Sequence, residues 1–434
     1  MSHKNLLHRF GLLAALLVAS TQHTQAQEAT AEERLEALEE RLAQLELREG
    51  PGIPLDAYWQ NGIRLRSDDG RVQLQIGGRV QNDFAAFDAD REVKDEVGPV
   101  RDGTTFRRAR IYVSGRLYDY GLFRVEYDFA GGRPNYRDAY IGVRDVPWLG
   151  TILVGRQLET YSLEALSGNN FHQFPERGLP AAFYEYWNNG ISVQNSVLDQ
   201  RATWAVGAYK RTDTFGTSQT NSNHNVSARI TAAPHYSDDG RSWVHLGAAT
   251  VLRKPDGDEY RISSRPESSV APVFVNTDAI PSDRAQLVGL EFAAAQGPAS
   301  VQAEWHQARV DLLETEDFMH SGHVRLSGYY LYASYFLTGE HRTYNRATGV
   351  FGRTIPRSNF RGEGHGWGAW EVAVRHSELD LNDGPVEGGE LRNLTVGVNW
   401  YLNPNMRVMA NYVHADLVDV GKTDIVQMRA QFDF

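Results

Sequence analysis

From Arg71 onward the chain alternates apolar and polar residues with a period of two. That period puts successive side chains on opposite faces of an extended strand. In 71–86, Val72, Leu74, Ile76 and Val80 share one face, and Arg71, Gln73, Gln75, Arg79, Gln81 and Asp83 share the other. In 105–118 the apolar face is Ala109, Ile111, Val113 and Leu117, opposed by Arg108, Arg110, Tyr112, Ser114, Arg116 and Tyr118. Alternating segments recur at 122–129, 136–144, 151–157, 190–196, 203–211, 226–232, 242–252, 286–296, 299–310, 323–337, 367–378, 392–402, 406–414 and 424–434. Tyr260–Ser264 reads as a hairpin within a loop. The strands then number sixteen, and single-chain bacterial outer-membrane barrels have an even number.

Alternation alone does not separate such a barrel from a soluble β-sandwich, which also alternates. The connections do. Those after the second, fourth, sixth, eighth, tenth and fourteenth strands are short: 119–121, 145–150, 197–202, 233–241, 297–298 and 403–405. Most of those after odd strands are longer: 87–104, 158–189, 212–225, 253–285, 311–322 and 379–391. Short turns at one end and long loops at the other are the outer-membrane arrangement. Only 338–366 breaks the rule, being long on the short-turn side.

The longest aromatic-rich connection is Leu158–Asn189, which carries Phe171, Phe174, Phe183, Tyr184, Tyr186 and Trp187. Loops this long are functional or disordered, and disordered segments lack aromatics. It is expected to fold into the barrel and constrict it. The last strand alternates Val426, Met428, Ala430, Phe432 and Phe434 with Gln427, Arg429, Gln431 and Asp433. Ahead of the barrel, Lys4, His8 and Arg9 precede an apolar run, 10–19, and Thr24-Gln25-Ala26 offers a small-x-small cleavage site. Residues 1–26 therefore read as a secretory signal peptide. In 27–49, Ala31, Leu35, Leu38, Leu42 and Leu45 are spaced 4, 3, 4 and 3, an a/d seam for a short coiled coil. Residues 50–70 read as a linker into a barrel domain at 71–434.

Composition narrows the function. The chain has no cysteine, which excludes disulfides and thiolate chemistry. A net charge of −11 argues against nucleic acid as a partner. Mean hydropathy is negative, yet a transmembrane barrel never needs a long apolar run. By alternation, Arg79, Arg108, Arg110, Arg116, Arg124, Arg229, Arg375, Arg407 and Arg429 face the lumen. Guanidinium groups suit phosphate and carboxylate geometry, so an anion path is one reading. The other is that they pair with the lumen acids Asp83, Glu126, Asp128, Glu304, Glu371 and Asp433. Glu371 and Arg375 share a face and could neutralise each other.

Several blocks carry a family resemblance: Phe106-Arg107-Arg108-Ala109-Arg110, Ser162-Leu163-Glu164, Glu176-Arg177, Phe336-Leu337-Thr338-Gly339-Glu340 and Gly397-Val398-Asn399-Trp400-Tyr401. Over about residues 60–434 the chain resembles the phosphate-selective porin O and P family. The resemblance implies a sixteen-stranded trimeric outer-membrane channel with its third long loop folded inside, and no cofactor. It also implies that the terminal Phe434 is read by the barrel-assembly machinery, and that Arg107, Arg108 and Arg177 line the path. Phosphate-selective members carry lysines just after the Leu-Glu block. Here that stretch is Ala165-Leu166-Ser167-Gly168-Asn169-Asn170, and Glu159, Glu164, Glu176 and Glu185 are present instead. A passive outer-membrane porin for small solutes follows, with anions favoured and phosphate the weaker candidate among them. The competing class is a barrel enzyme such as a lipid hydrolase. The candidate anion-binding residues are Arg79, Arg107, Arg108, Arg110, Arg116, Arg124, Arg177 and Arg375.

Overall fold

The computed structural model describes residues 36–40, 53–220, 223–362 and 365–434. The signal peptide lies outside these. Of the coiled-coil segment only 36–40 fall within them, and they are helical and exposed.

Sixteen long strands form the wall: β1 Val72–Ala89, β2 Gly103–Leu117, β3 Gly121–Asp128, β4 Asn135–Val146, β5 Gly150–Leu158, β6 Trp187–Val197, β7 Ala202–Lys210, β8 His224–Tyr236, β9 Ser242–Arg253, β10 Ile280–Gln296, β11 Ala299–Leu312, β12 Gly322–Phe336, β13 Ala369–Asp383, β14 Val386–Asn403, β15 Met406–Leu417 and β16 Gly421–Asp433. Each pairs antiparallel with its neighbour in the chain. The last returns to the first, from Thr423↔Ala89 to Asp433↔Arg79, and closes the sheet. Closure removes the unpaired edges that a membrane would not tolerate.

Burial decides between barrel and sandwich. In β16, Val426, Met428 and Phe432 are 63, 43 and 42% exposed, whereas Arg429 is 1% exposed. Val80 and Phe84 are exposed on β1, and Arg79, Gln81 and Asp83 between and beside them are buried. A soluble sandwich would bury the apolar face. This wall turns it outward, as lipid requires, and holds the charges inside.

The parity rule largely holds. Connections 118–120, 147–149, 198–201, 237–241, 297–298 and 404–405 are short at one end, and 90–102, 159–186, 211–223 and 254–279 are long at the other. The expected long loop 379–391 is absent. β13 runs to Asp383 and β14 starts at Val386, so two residues join them. Its acidic residues read as loop, but strand ends that stand above the lipid need no apolar face. The 50–70 segment is more than a linker. Leu55–Trp59 and Ile63–Ser67 form a hairpin whose second strand extends the sheet beside β1, from Ile63↔Ile76 to Arg66↔Gln73. Phe434 exchanges backbone hydrogen bonds with Gly78, and its ring stacks on Phe432 and Trp59. A Cβ on Gly77 would lie 2.5 Å from the Phe434 carbonyl oxygen, so the seam needs glycine there.

Candidate functional site

Three segments fill the lumen. The third loop, 159–186, enters from the long-loop end. Its entry is anchored to the far wall by β11. Glu304 accepts the N–H of Leu163 at 3.0 Å and of Glu164 at 2.8 Å, and also the Tyr330 hydroxyl. His306 bonds the Tyr161 hydroxyl through Nδ1 and the Tyr184 hydroxyl through Nε2, so both ends of the loop are held on one ring. Ser162, at a left-handed φ of 71°, caps the helical turn Leu163–Leu166 by accepting the Ala165 N–H.

Wall arginines hold the loop's middle. Arg407 donates to the His172 carbonyl at 2.7 Å, Arg375 to the Glu176 carbonyl at 3.1 Å, Arg429 to the Pro175 carbonyl, and Arg79 to Asn169. A β-bulge between Gln81 and Asn82 in the β1–β2 register leaves Arg107 without a partner on β1. Arg107 then forms a two-pronged contact with Glu176 on the loop, at 2.7 and 3.0 Å. Burial alone would raise the Glu176 carboxyl. Arg107, Arg429 and Arg108 outweigh it and hold that carboxyl well below the usual range.

The fifth loop, 254–279, descends from the same end. Its Glu267 accepts from Arg375 at 2.5 Å and from Thr395 at 2.6 Å, and its Ser269 donates to Asp83. Arg375 is thus not neutralised by Glu371, which instead accepts from Asn399 and Tyr401.

The third intruder is the connection 337–368, between β12 and β13, whose length broke the parity rule. It rises from the short-turn end. Tyr344 stacks on Trp243 at 5.1 Å and bonds His245; Phe351 packs with both Trp243 and Tyr344. Leu163 of the third loop joins the same apolar cluster. The Phe351 N–H reaches the Ser167 hydroxyl, so the two intruders meet. Arg342 lies over Phe351 with Nε and one terminal nitrogen unpartnered among the described residues. The space between Glu164, His172, Tyr332, Arg342 and Phe351 has no room for a water molecule.

The expected site residues therefore divide. Arg79, Arg108, Arg110 and Arg375 are buried at 8, 3, 7 and 1% exposure. Arg110 pairs with Asp128 and Glu126, Arg79 approaches Glu126, and Arg108 bonds Gln81. These four hold the lumen's packing together and are not open to a passing solute. Arg107, Arg116, Arg124 and Arg177 stay half-exposed. Arg124 is matched by Glu126 and Asp138, and Arg107 by Glu176. Among the described residues Arg116 and Arg177 have no carboxylate within ion-pair distance: Arg116 donates to the Gly70 carbonyl, and Arg177 to the Glu164 carbonyl while lying over the Tyr186 ring. Arg137, half-exposed and bound to Asp128, joins this wall and was not a sequence candidate. Arg342 and Glu267 were missed as well; a long connection on the wrong side, rich in arginine and aromatics, was the signal for the first.

Two cavities lie beside the third loop. One, of about 740 Å³, is lined by Glu185, Arg211, Arg253, Glu259 and Tyr260. The other, of about 590 Å³, is lined by Arg107, Arg137, Glu176, Arg177, Tyr186 and Arg265. The turn Leu179–Phe183 separates them, with Ala182 on both walls.

Glu164 gives the site a pH dependence. Its burial, only partly offset by Arg375 and reinforced by Glu304, pushes its carboxyl up to about 8. Arg375, 3.9 Å away, is already committed to Glu267. A carboxyl raised on folding stabilises the fold fully below its unfolded value and loses that contribution as pH climbs through about 8. The third loop should therefore loosen progressively from the usual carboxylate range up to about pH 8 and change little above it. Protection factors of the amides in residues 160–178, which remove the intrinsic rise of exchange with pH, are expected to fall over that interval in the native chain and to stay level in Glu164→Gln. A native profile as flat as the variant's would refute this assignment.

A closed sixteen-stranded wall, apolar outside and charged inside, with long loops folded into its lumen, defines an outer-membrane porin. It is a channel for passive diffusion of small solutes, not an enzyme. The family model for phosphate-selective porin O and P matches residues 74–434, and the chain belongs to that family. Porin O of Pseudomonas aeruginosa is 25% identical over 394 residues, covering 82% of this chain and 86% of the relative. An uncharacterised protein of Caulobacter vibrioides is 27% identical over 374 residues, covering 83% and 71%. Among solved structures, the outer-membrane channel DcaP of Acinetobacter baumannii superposes with a TM-score of 0.52 at 14% identity, covering 85% of this chain and 99% of that one. OmpF of Salmonella typhi, in complex with daunomycin, gives 0.51 at 14% identity, covering 87% and 100%. The chain is thus a protein of the bacterial outer membrane.

Proposed function

We propose that this porin favours anions and does not single out phosphate. The observation that carries the reading is Arg177, a half-exposed guanidinium beside a cavity with no carboxylate partner among the described residues. Arg116, toward the other end of the lumen, is in the same state. Selectivity in a wide pore follows the charges that line it. The half-exposed wall arginines whose charge is matched by acids add less, and the loop's lack of lysine removes the point charges best suited to strip water from phosphate. The porin works as a homotrimer in lipid, and Phe434, seated in the closing seam, is the residue offered to the assembly machinery.

Reversal potentials across a bilayer with a potassium chloride gradient test the reading. Anion-selective channels are expected, with phosphate no better than chloride. Cation selectivity would defeat the proposal. Arg177→Ala and Arg116→Ala should each lower the anion-to-cation permeability ratio by about fivefold, the effect of losing ~1 kcal/mol of attraction in water. Unchanged ratios would place these arginines off the path.

A further inference from the structure

The edge of β1 that faces β16 is filled by two separate pieces of chain. β2 takes the other edge, from Val72↔Leu117 to Ala85↔Gly103. Opposite β2, β16 covers Arg79–Ala89 and the hairpin strand Ile63–Ser67 covers Gln73–Ile76. Both run antiparallel to β1, so they lie end to end in one line. Phe434 closes the interval on Gly78 with backbone hydrogen bonds of 2.9 and 3.0 Å. The hairpin begins where the chain ends. A Cβ on Gly62 would lie 3.0 Å from the Phe434 carbonyl carbon, and Trp59 stacks on the Phe434 ring at 6.4 Å.

Nothing in the alternation of β16 specifies that stopping point. Its outward residues Val426, Met428, Ala430 and Phe432 are all apolar, and its inward residues Gln427, Arg429, Gln431 and Asp433 are all polar. A slip of one residue exchanges the two faces, which lipid forbids, but a slip of two preserves both. Two residues are about 7 Å of strand. Such a slip takes Arg429 off Asp83, which it grips through two nitrogens at 2.6 Å, and off the Pro175 carbonyl and Glu176 of the third loop. Toward the short-turn end it brings Phe434 opposite Ile76, where Ile63 already sits.

We propose that the hairpin Leu55–Ser67 is an end stop that sets the closing register of the barrel and, through Arg429, the position of the third loop in the lumen. The hairpin is joined to β1 by the turn 68–71, built from neighbours in sequence. The Ser67 hydroxyl donates to the Asp69 carboxylate at 2.6 Å and accepts the Val72 N–H at 3.0 Å, and the same carboxylate accepts the Arg71 N–H at 3.0 Å. Side chains that take up N–H groups two residues on make such turns form locally. The seam is the opposite case: Arg429 and Asp83 are 346 residues apart in the chain. Local pairing precedes closure of so long a loop, so the stop is in place when β16 arrives.

Disulfide cross-linking in the full-length porin tests the stop, because the chain has no cysteine of its own. Val80→Cys with Phe432→Cys reports the native register, in which these two residues oppose each other. Val80→Cys with Ala430→Cys reports a two-residue slip toward the short-turn end. Pairs two residues apart occupy the same kind of ladder position, so oxidation treats both alike. In the native chain the first pair should cross-link and the second should not. Deleting residues 55–67 should raise the yield of the slipped pair about tenfold, at the expense of the first. A shortened chain is liable to stall in assembly, so Leu65→Pro in the full chain is the second variant; it removes a backbone donor from the hairpin strand and should give the same shift. Ala410→Cys with Met428→Cys, opposed across β15 and β16, should cross-link equally in every background. Cross-linking of the native pair alone in both variants would overturn the stop and leave the register to Arg429 and Asp83. Loss of the β15–β16 cross-link would show unfolding in place of slip and overturn it as well.

Discussion

Replacing residues 341–365 by a tight turn should roughly double single-channel conductance, since a sixteen-stranded barrel is wide enough to conduct once what fills it is removed. The connection 337–368 is not wall: β12 and β13 already pair directly, from Ser327↔Asp380 to Phe336↔Glu371. What it contributes lies inside the lumen. Trp243 donates to the Arg342 carbonyl, Arg229 to the Gly349 carbonyl, and Arg353 to Asp433. Its loss removes the burial of Tyr344 and Phe351, a cost of about 3–6 kcal/mol for two large apolar side chains. The closed ladder of wall strands bears that cost, so the variant should still run as a folded barrel on an unheated gel. The Phe351 contact with Ser167 is lost too, and the third loop should become noisier as well as the pore wider. Conductance equal to the native channel's would show that solutes already bypass this segment.

The sequence made the wall legible because lipid imposes one rule on every outward position. Period two then repeats along each strand, and loop length alternates with strand number. The interior follows no such local rule. Arg375 and Glu371 sit on one face of β13, which suggested a pair, yet Arg375 binds Glu267, which the fifth loop brings down onto that same wall beside Ser377 and Thr395. Arg79 and Arg108 carry the same alternation as Arg116, but the packed third loop closes over the first two and leaves the last half-exposed. Which arginine meets solute is set by where three distant segments come to rest, and no spacing along a strand records that. The departure of 338–366 from the parity rule was the one visible trace of it.

Glu304→Ala should release the third loop and produce the largest local change in the molecule. The Glu304 carboxylate is 2% exposed and takes the first two N–H groups of the Leu163–Leu166 turn, with the Tyr330 hydroxyl and His306 beside it. Alanine leaves both N–H groups buried without an acceptor, at about 1–3 kcal/mol each. The wall loses little, because β11 keeps its ladder to β10 and β12 on either side. The cost therefore falls on the loop, which opens locally instead of unfolding the barrel. Amide exchange at Leu163 and Glu164 should rise by at least about tenfold, the equivalent of ~1.4 kcal/mol, while strand amides stay protected. Open-channel current should rise and fluctuate at the same time. Glu304→Gln retains one acceptor oxygen and should fall between the native chain and the alanine variant. If alanine left exchange at Leu163 and Glu164 unchanged, the loop would have to be held by the Tyr161 and Tyr184 contacts to His306 instead, and Glu304→Ala combined with His306→Ala would then be needed to free it.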